Sequence, residues 1–183
     1  HPFERASGFR GRLHFTCFNC MHINCAYICD MKTPEVLHMS SFTSPQEQLA
    51  LTVLHTASKM LNHHRALLKP HGITPEQFNI LRILRGQHGQ PLALRDISGR
   101  MIDRNSNTSR LVDKLTAKGL VRRETCPNDR RRVDIALTDE GLTMTTKLKA
   151  LMDENMRSLQ SVWSEERALK AIDLLDAWNE TQP

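Results

Sequence analysis

Asn105-Ser106-Asn107-Thr108-Ser109-Arg110-Leu111-Val112-Asp113-Lys114-Leu115 leads into Lys118-Gly119-Leu120-Val121-Arg122-Arg123. A turn at Pro127 and Asn128 then opens Asp129-Arg130-Arg131-Arg132-Val133-Asp134-Ile135-Ala136-Leu137-Thr138. The first run predicts a helix over about 106–118. Asp103, Arg104, Asn105 and Ser106 supply turn and cap chemistry, and Leu111, Val112 and Leu115 form the buried stripe. Gly119 follows as a C-terminal stop. After it the hydrophobic period changes from 3.6 to 2. Residues 120–126 can alternate as a strand, and Val133, Ile135 and Leu137 alternate on one face of a second. Together they predict a hairpin with Arg130, Arg131 and Arg132 at or near its tip.

The flanks extend this plan. Upstream, Pro91, Leu92 and Ala93 form a short extended piece before a helix over 94–101, with Ile97 and Met101 facing inward. Thr74-Pro75-Glu76 opens a helix packed by Phe78, Ile80, Leu81, Ile83 and Leu84, and the glycines at 86 and 89 end it. Ser44-Pro45 with Glu47 opens a longer helix of about five turns, stopped by Pro70 and Gly72. Downstream, Thr138-Asp139-Glu140 caps a long helix through Leu148 and Leu151. Ser164-Glu165-Glu166 caps a last one carrying Leu169, Ile172, Leu175 and Trp178. The predicted fold class is mainly α with a small β wing: a winged helix-turn-helix domain plus a helical dimerisation lobe.

Charge is concentrated where the hairpin is. The chain of 183 residues has a net charge of +5, yet residues 104–132 alone hold nine basic and three acidic side chains. Residues 133–183 reverse this, with five basic and ten acidic. A basic block beside an ordinary globular body points to a polyanion partner, with a solvated basic face as the bland alternative. No apolar stretch reaches the length of about 18 residues that a membrane helix needs. No secretory signal pattern is present either.

The chemistry of the block fits double-stranded DNA. A helix enters the major groove with its N-terminal side chains at the base edges. Ser106, Asn107 and Thr108 are short donors and acceptors there, and Arg110 can bind guanine through two hydrogen bonds. Lys114 and Lys118, further along, suit phosphate contact. The arginines of the hairpin suit the narrow, negative minor groove. Capping of the helix is the structural alternative for Ser106, and both roles are compatible. Enzyme motifs are missing: no phosphate-binding glycine loop, HExxH or nucleophile elbow occurs, and His63-His64 lack an acidic partner at helical spacing. No cofactor, metal or catalytic residue is therefore expected. A winged helix that binds protein instead of DNA is a further alternative, disfavoured by the arginine-rich wing.

Residues 94–140 resemble the DNA-binding lobe of the MarR family of transcriptional regulators. The resemblance rests on the run 105–115, on Lys118-Gly119-Leu120-Val121-Arg122-Arg123, and on the Asp-x-Arg wing closing in Leu137-Thr138, with Glu140-Gly141 starting the next helix. It implies a cytoplasmic, sequence-specific DNA-binding regulator: a homodimeric repressor that reads a palindromic operator. It further implies that Asp129 braces the wing, that Arg131 enters the minor groove, and that a small aromatic or amphipathic effector releases the protein from DNA. The effector cleft would draw on the helix over 49–68, the helix over 75–84 and the start of the helix after Thr138. The domain reading is a DNA-binding lobe over about 73–138 and a dimer lobe from about 44–70 and 139–180. Dimerisation has separate support: the compact winged domain has too little surface to cover the apolar stripes of three long helices.

Residues 1–40 fall outside that pattern and read as a leader, unstructured or non-native, with Met31 or Met39 as candidate starts. Cys17, Cys20, Cys25 and Cys29 cluster there beside His14 and His22. Four thiolates and two imidazoles could close a zinc site, but three short gaps are unlike the two separated ligand couples of structural zinc. Disulfides are disfavoured by the single remaining cysteine and the missing secretion signal. That cysteine, Cys126, lies among arginines at the base of the wing. A thiol redox switch there is the alternative to ligand release, and the expectation is that no such switch operates.

Overall fold

The computed structural model describes residues 33–39, 41–126, 129–160 and 162–181. Cys17, Cys20, Cys25 and Cys29, with His14 and His22, lie outside the described residues. The chain divides into two compact units, residues 1–58 and 59–183.

In the first unit a short helix α1 (Thr33–Val36) precedes the start of α2 (Pro45–Leu68). Ser44 caps α2 as its sequence implies, its hydroxyl accepting from the Glu47 amide at 3.1 Å. The Glu47 carboxylate reaches back one residue further than a capping box would. It accepts from the Thr43 amide at 2.7 Å and the Thr43 hydroxyl at 2.6 Å. These two bonds hold the Glu47 carboxyl below its ordinary pKa.

The second unit takes in the end of α2 and a 3-10 turn (Lys69–His71), then α3 (Pro75–Arg85), β1 (Leu92–Ala93), α4 (Leu94–Gly99) and α5 (Thr108–Ala117). The hairpin β2 (Val121–Cys126) and β3 (Asp129–Leu137) follows, and then α6 (Asp139–Gln160) and α7 (Glu165–Glu180). Gly72 closes the turn after α2 at φ 66°, a left-handed conformation that glycine adopts without strain. Thr74 and Gln77 form a reciprocal capping box on α3, with Pro75 at its first position. The core is built from α3, α4 and α5 around Ile80, Leu81, Ile97, Val112 and Leu115, all fully buried, with Leu148 of α6 joining from the far side.

The three strands pair in the order β1-β3-β2, all antiparallel. This central placement changes the burial pattern of β3. Val133 is exposed, while Asp134, Ile135 and Ala136 are all buried, so the strict alternation expected from the sequence does not hold. A strand flanked on both sides and packed under helices loses its solvent face. The strand is also longer than expected, beginning at Asp129.

The corner between hairpin and α6 is tight. Thr138 donates its amide to the Leu120 carbonyl at 3.2 Å and its hydroxyl to the Gly119 carbonyl at 2.6 Å. The same hydroxyl accepts from the Gly141 amide at 3.0 Å, capping α6. At the other end of the chain α7 buries no residue at all, and Leu169, Ile172 and Leu174 stay exposed.

Candidate nucleic-acid interface

The turn before α5 differs in detail from its sequence reading. The Asp103 carboxylate accepts from the Asn105 amide at 3.0 Å and the Ser106 hydroxyl at 3.2 Å. This is an aspartate turn, which ends before the helix starts. The cap is Asn107, whose side-chain oxygen accepts from the Arg110 amide at 3.1 Å. The helix begins at Thr108 instead of Ser106, because an asparagine in the cap position satisfies the free first-turn amides directly.

Burial sorts the candidate residues of α5. Thr108 is 5% exposed and lies on the same stripe as Val112 and Leu115, four and seven residues on. Its hydroxyl turns back to the Ser106 carbonyl at 3.4 Å. The helical period already contained this answer, but short polar residues at a helix start attract a DNA-contact reading. Ser109, Arg110, Asp113 and Lys114 are exposed, and Arg110 and Lys114 stand one turn apart on the open face. Ser106 is half-buried and Asn107 exposed.

Two cross-ties fix α5 in place, and sequence reasoning found neither as such. Asp113 pairs with Arg123 of β2, joining the helix to the wing. Lys118, read from sequence as a phosphate contact, donates its ammonium to the Gly72 carbonyl and to Gln77 Oε1 at 3.3 Å. Both partners lie about 40 residues upstream, a distance at which side-chain pairing has no periodic signature.

In the wing, Val121 pairs with Leu137, and the ladder runs in register to Thr125 opposite Val133. Then it slips: Cys126 pairs with Asp129, which puts Cys126 at the outer end of the hairpin and not at its base as the sequence reading had it, because β2 runs on to the turn. Arg130, Arg131 and Arg132 are the three residues of β3 that the slip leaves between these pairs, a bulge at the outer end of the hairpin. The side chains of Cys126, Asp129, Arg130, Arg131 and Arg132 lie outside the described residues. At the base, Arg122 pairs with Glu124 at 2.5 Å and donates to the Leu137 carbonyl at 2.6 Å, spending its charge on the hairpin itself.

Behind the helix-turn-helix lies a cleft of about 940 Å³. Its walls are the last turns of α2, the outer face of α3, and the middle of α6 at Thr145, Lys149, Met152 and Met156. The α6 contribution is therefore further along that helix than the sequence reading placed it. Met101, Ile102, Asp103 and Ser106 complete the wall, so the turn that starts the recognition helix is part of the cleft. Ile102 is 83% exposed. His64 also lines it, and its pKa is lowered, first by burial and then by the neighbouring His63. His63 is bonded to the Asn155 side-chain oxygen at 2.6 Å. Arg65, Arg82, Arg85 and Lys149 give the walls cationic groups, with Glu76, Asp103 and Asp153 opposing them. Among the described residues no group of three or more His, Cys, Asp or Glu could hold a metal ion, and no helix is long and apolar enough to cross a membrane.

A two-helix unit that presents Arg110 and Lys114 on its open face, flanked by an arginine-bearing hairpin, defines a winged helix-turn-helix DNA-binding regulator. Residues 73–133 match the model of the MarR family. The transcriptional repressor MprA of Escherichia coli strain K12 is 28% identical over 122 residues, covering 66% of this chain and 68% of that protein. The regulator PecS of Dickeya dadantii is 37% identical over 97 residues, 51% of this chain and 57% of its own length. The S. aureus MepR–DNA complex shares the fold at a TM-score of 0.66 and 24% identity, covering 76% of this chain and all of that one. Residues 73–133 are thus similar to the MarR family, and the chain is a DNA-binding transcriptional regulator.

Proposed function

We propose that the protein is a cytoplasmic, homodimeric repressor, without catalytic activity, that reads a palindromic operator and leaves it when a small aromatic or amphipathic ligand fills the cleft. The observation that carries this reading is shared wall space: the Asp103–Ser106 turn both lines the cleft and starts the recognition helix. A ligand there has direct purchase on the DNA-reading element. The cleft's mix of methionine, leucine and arginine suits a flat apolar body with an anionic group.

In this reading the DNA-binding lobe is about 73–138. Arg110 reads a base, Ser106 and Asn107 flank it, and Lys114 meets phosphate. Asp129 braces the wing, and Arg130, Arg131 and Arg132 follow the minor groove. Thr108 is left out of the contacting set because it is buried. The dimer lobe is about 44–70 and 139–180, with residues 1–40 a leader. The bare apolar face of α7 supports dimerisation, since a solitary 16-residue helix with no buried residue is marginal in water.

The test is a mobility-shift titration against a duplex selected from random-sequence DNA, at several salt concentrations, with a panel of aromatic carboxylates as competitors. Tight binding that falls steeply with salt, and is relieved by some member of the panel, is expected. Sedimentation should give about 42 kDa, twice the 21.0 kDa chain. A monomer with no duplex preference would refute the proposal.

A further inference from the structure

We infer that Lys118 is a positioning residue of the recognition helix and makes no phosphate contact; the inference rests on the DNA-binding reading above. Lys118 is the C-cap of α5, and its backbone amide is bonded to the Lys114 and Thr116 carbonyls. Gly119 and Leu120 complete the termination, donating to Thr116 at 2.9 Å and Leu115 at 3.0 Å. This paired closure fixes the direction in which the Lys118 side chain leaves the helix.

That direction leads to the turn between α2 and α3. An ammonium has three donors. Two of them are spent on the Gly72 carbonyl and on Gln77 Oε1. Gln77 is itself fixed: it is 2% exposed, its amide donates to the Thr74 hydroxyl at 3.3 Å, and its side chain accepts from the Thr74 amide at 3.2 Å. Lys118 therefore ends on a rigid cap with one donor left to solvent, and swinging the ammonium away to a phosphate would break both bonds. The Asp113–Arg123 pair ties the same helix to the wing. Lys118 supplies the tie on the side of α3, whose first turn also lines the cleft through Pro75 and Glu76. The two ties set the tilt at which Arg110 and Lys114 are presented.

A phosphate ligand and a positioning residue leave different traces. Losing a phosphate contact weakens specific and non-specific binding together and reduces the salt slope by about 0.9 per protomer, so by about 1.8 for a dimer. Losing a tie misplaces the base-reading helix, so specific binding falls while non-specific binding and the slope stay. The experiment measures full-length wild type, Lys118→Met, Lys114→Met and Gln77→Met. Each is titrated with the duplex selected by wild type and with poly(dI-dC), over a range of salt, after circular dichroism has confirmed the helical fold. Lys118→Met is expected to lose roughly three- to tenfold in specific affinity only, with an unchanged slope. Gln77→Met, whose buried side chain cannot reach DNA, should shift specific affinity the same way. Lys114→Met should lower both affinities and the slope. A reduced slope in Lys118→Met, or unchanged specific affinity in it, would overturn the inference alone. Wild type that binds no duplex would overturn the DNA-binding reading with it. If Lys118→Met does not fold, Gln77→Met and the conservative Lys118→Arg, which keeps the donors, decide the matter: loss in the first with retention in the second is the expected result, and no loss in Gln77→Met refutes it.

Discussion

Replacing Gly141 by alanine would set a Cβ 1.9 Å from the Leu120 carbonyl oxygen and 2.9 Å from its carbon, with Leu137 Cδ2 at 3.2 Å. The obstacle is backbone, so no rotamer change relieves it. The Leu120 carbonyl is held by the Thr138 amide, and Gly141 is held by the Thr138 hydroxyl, so neither side can retreat alone. Ordinary carbon–oxygen contact lies beyond about 3 Å, so α6 must move by roughly 1 Å or more at its first turn. Overpacking of this kind costs about 1–3 kcal/mol or more, against a helix-propensity gain of about 1 kcal/mol at most for alanine. A net loss of about 2 kcal/mol is expected, which for a chain of this length lowers Tm by roughly 4–8 °C. The assay is thermal and urea unfolding at fixed protein concentration, since a dimer's apparent stability depends on it. Because α6 also walls the cleft and follows the wing, specific DNA affinity should fall as well. Unchanged or raised stability in Gly141→Ala would show that the hairpin–α6 corner is looser than this geometry, and the reasoning would fail.

Arg110→Ala should cost about 1–3 kcal/mol of specific binding and relax base preference at one position per half-site, read by selection from random DNA. Arg131→Ala should weaken binding to most sequences and reduce the salt slope; unchanged affinity and slope in both variants would place the DNA face elsewhere. His64 has a lowered pKa in the fold, so below about 6.5 the unfolded chain takes up a proton that the folded one resists. Stability should therefore rise with pH through the region just below 6.5 and level off above it. His64→Gln should flatten that rise, and an unaltered profile in urea titrations would rule the group out. DNA binding is expected to be the same before and after mild peroxide; a reversible loss absent from Cys126→Ser would establish a thiol switch.

Element order and the resemblance of residues 94–140 to the MarR family were legible in the residues alone. Hydrophobic period, caps and stops are local, so Ser44, Thr74, Gly119, Thr138 and Ser164 marked their boundaries directly. The basic block 104–132 and the wing pattern pointed to DNA before any contact was placed. Which of the candidate side chains are buried or bonded within the fold came only from the tertiary structure. Thr108 is taken by the core, and Lys118 and Arg122, though exposed, are bonded to the α2–α3 turn and to the hairpin itself, while Arg110 and Lys114 stand on the open face of α5. The same holds for β3, whose central position buried Asp134 and Ala136 and whose slip bulged out the three arginines. The physical reason is range. A cap or a helical stripe is fixed within about one or two turns of chain. The partner of a long cation, or the second neighbour of a strand, comes from dozens of residues away and exists only once the chain has folded.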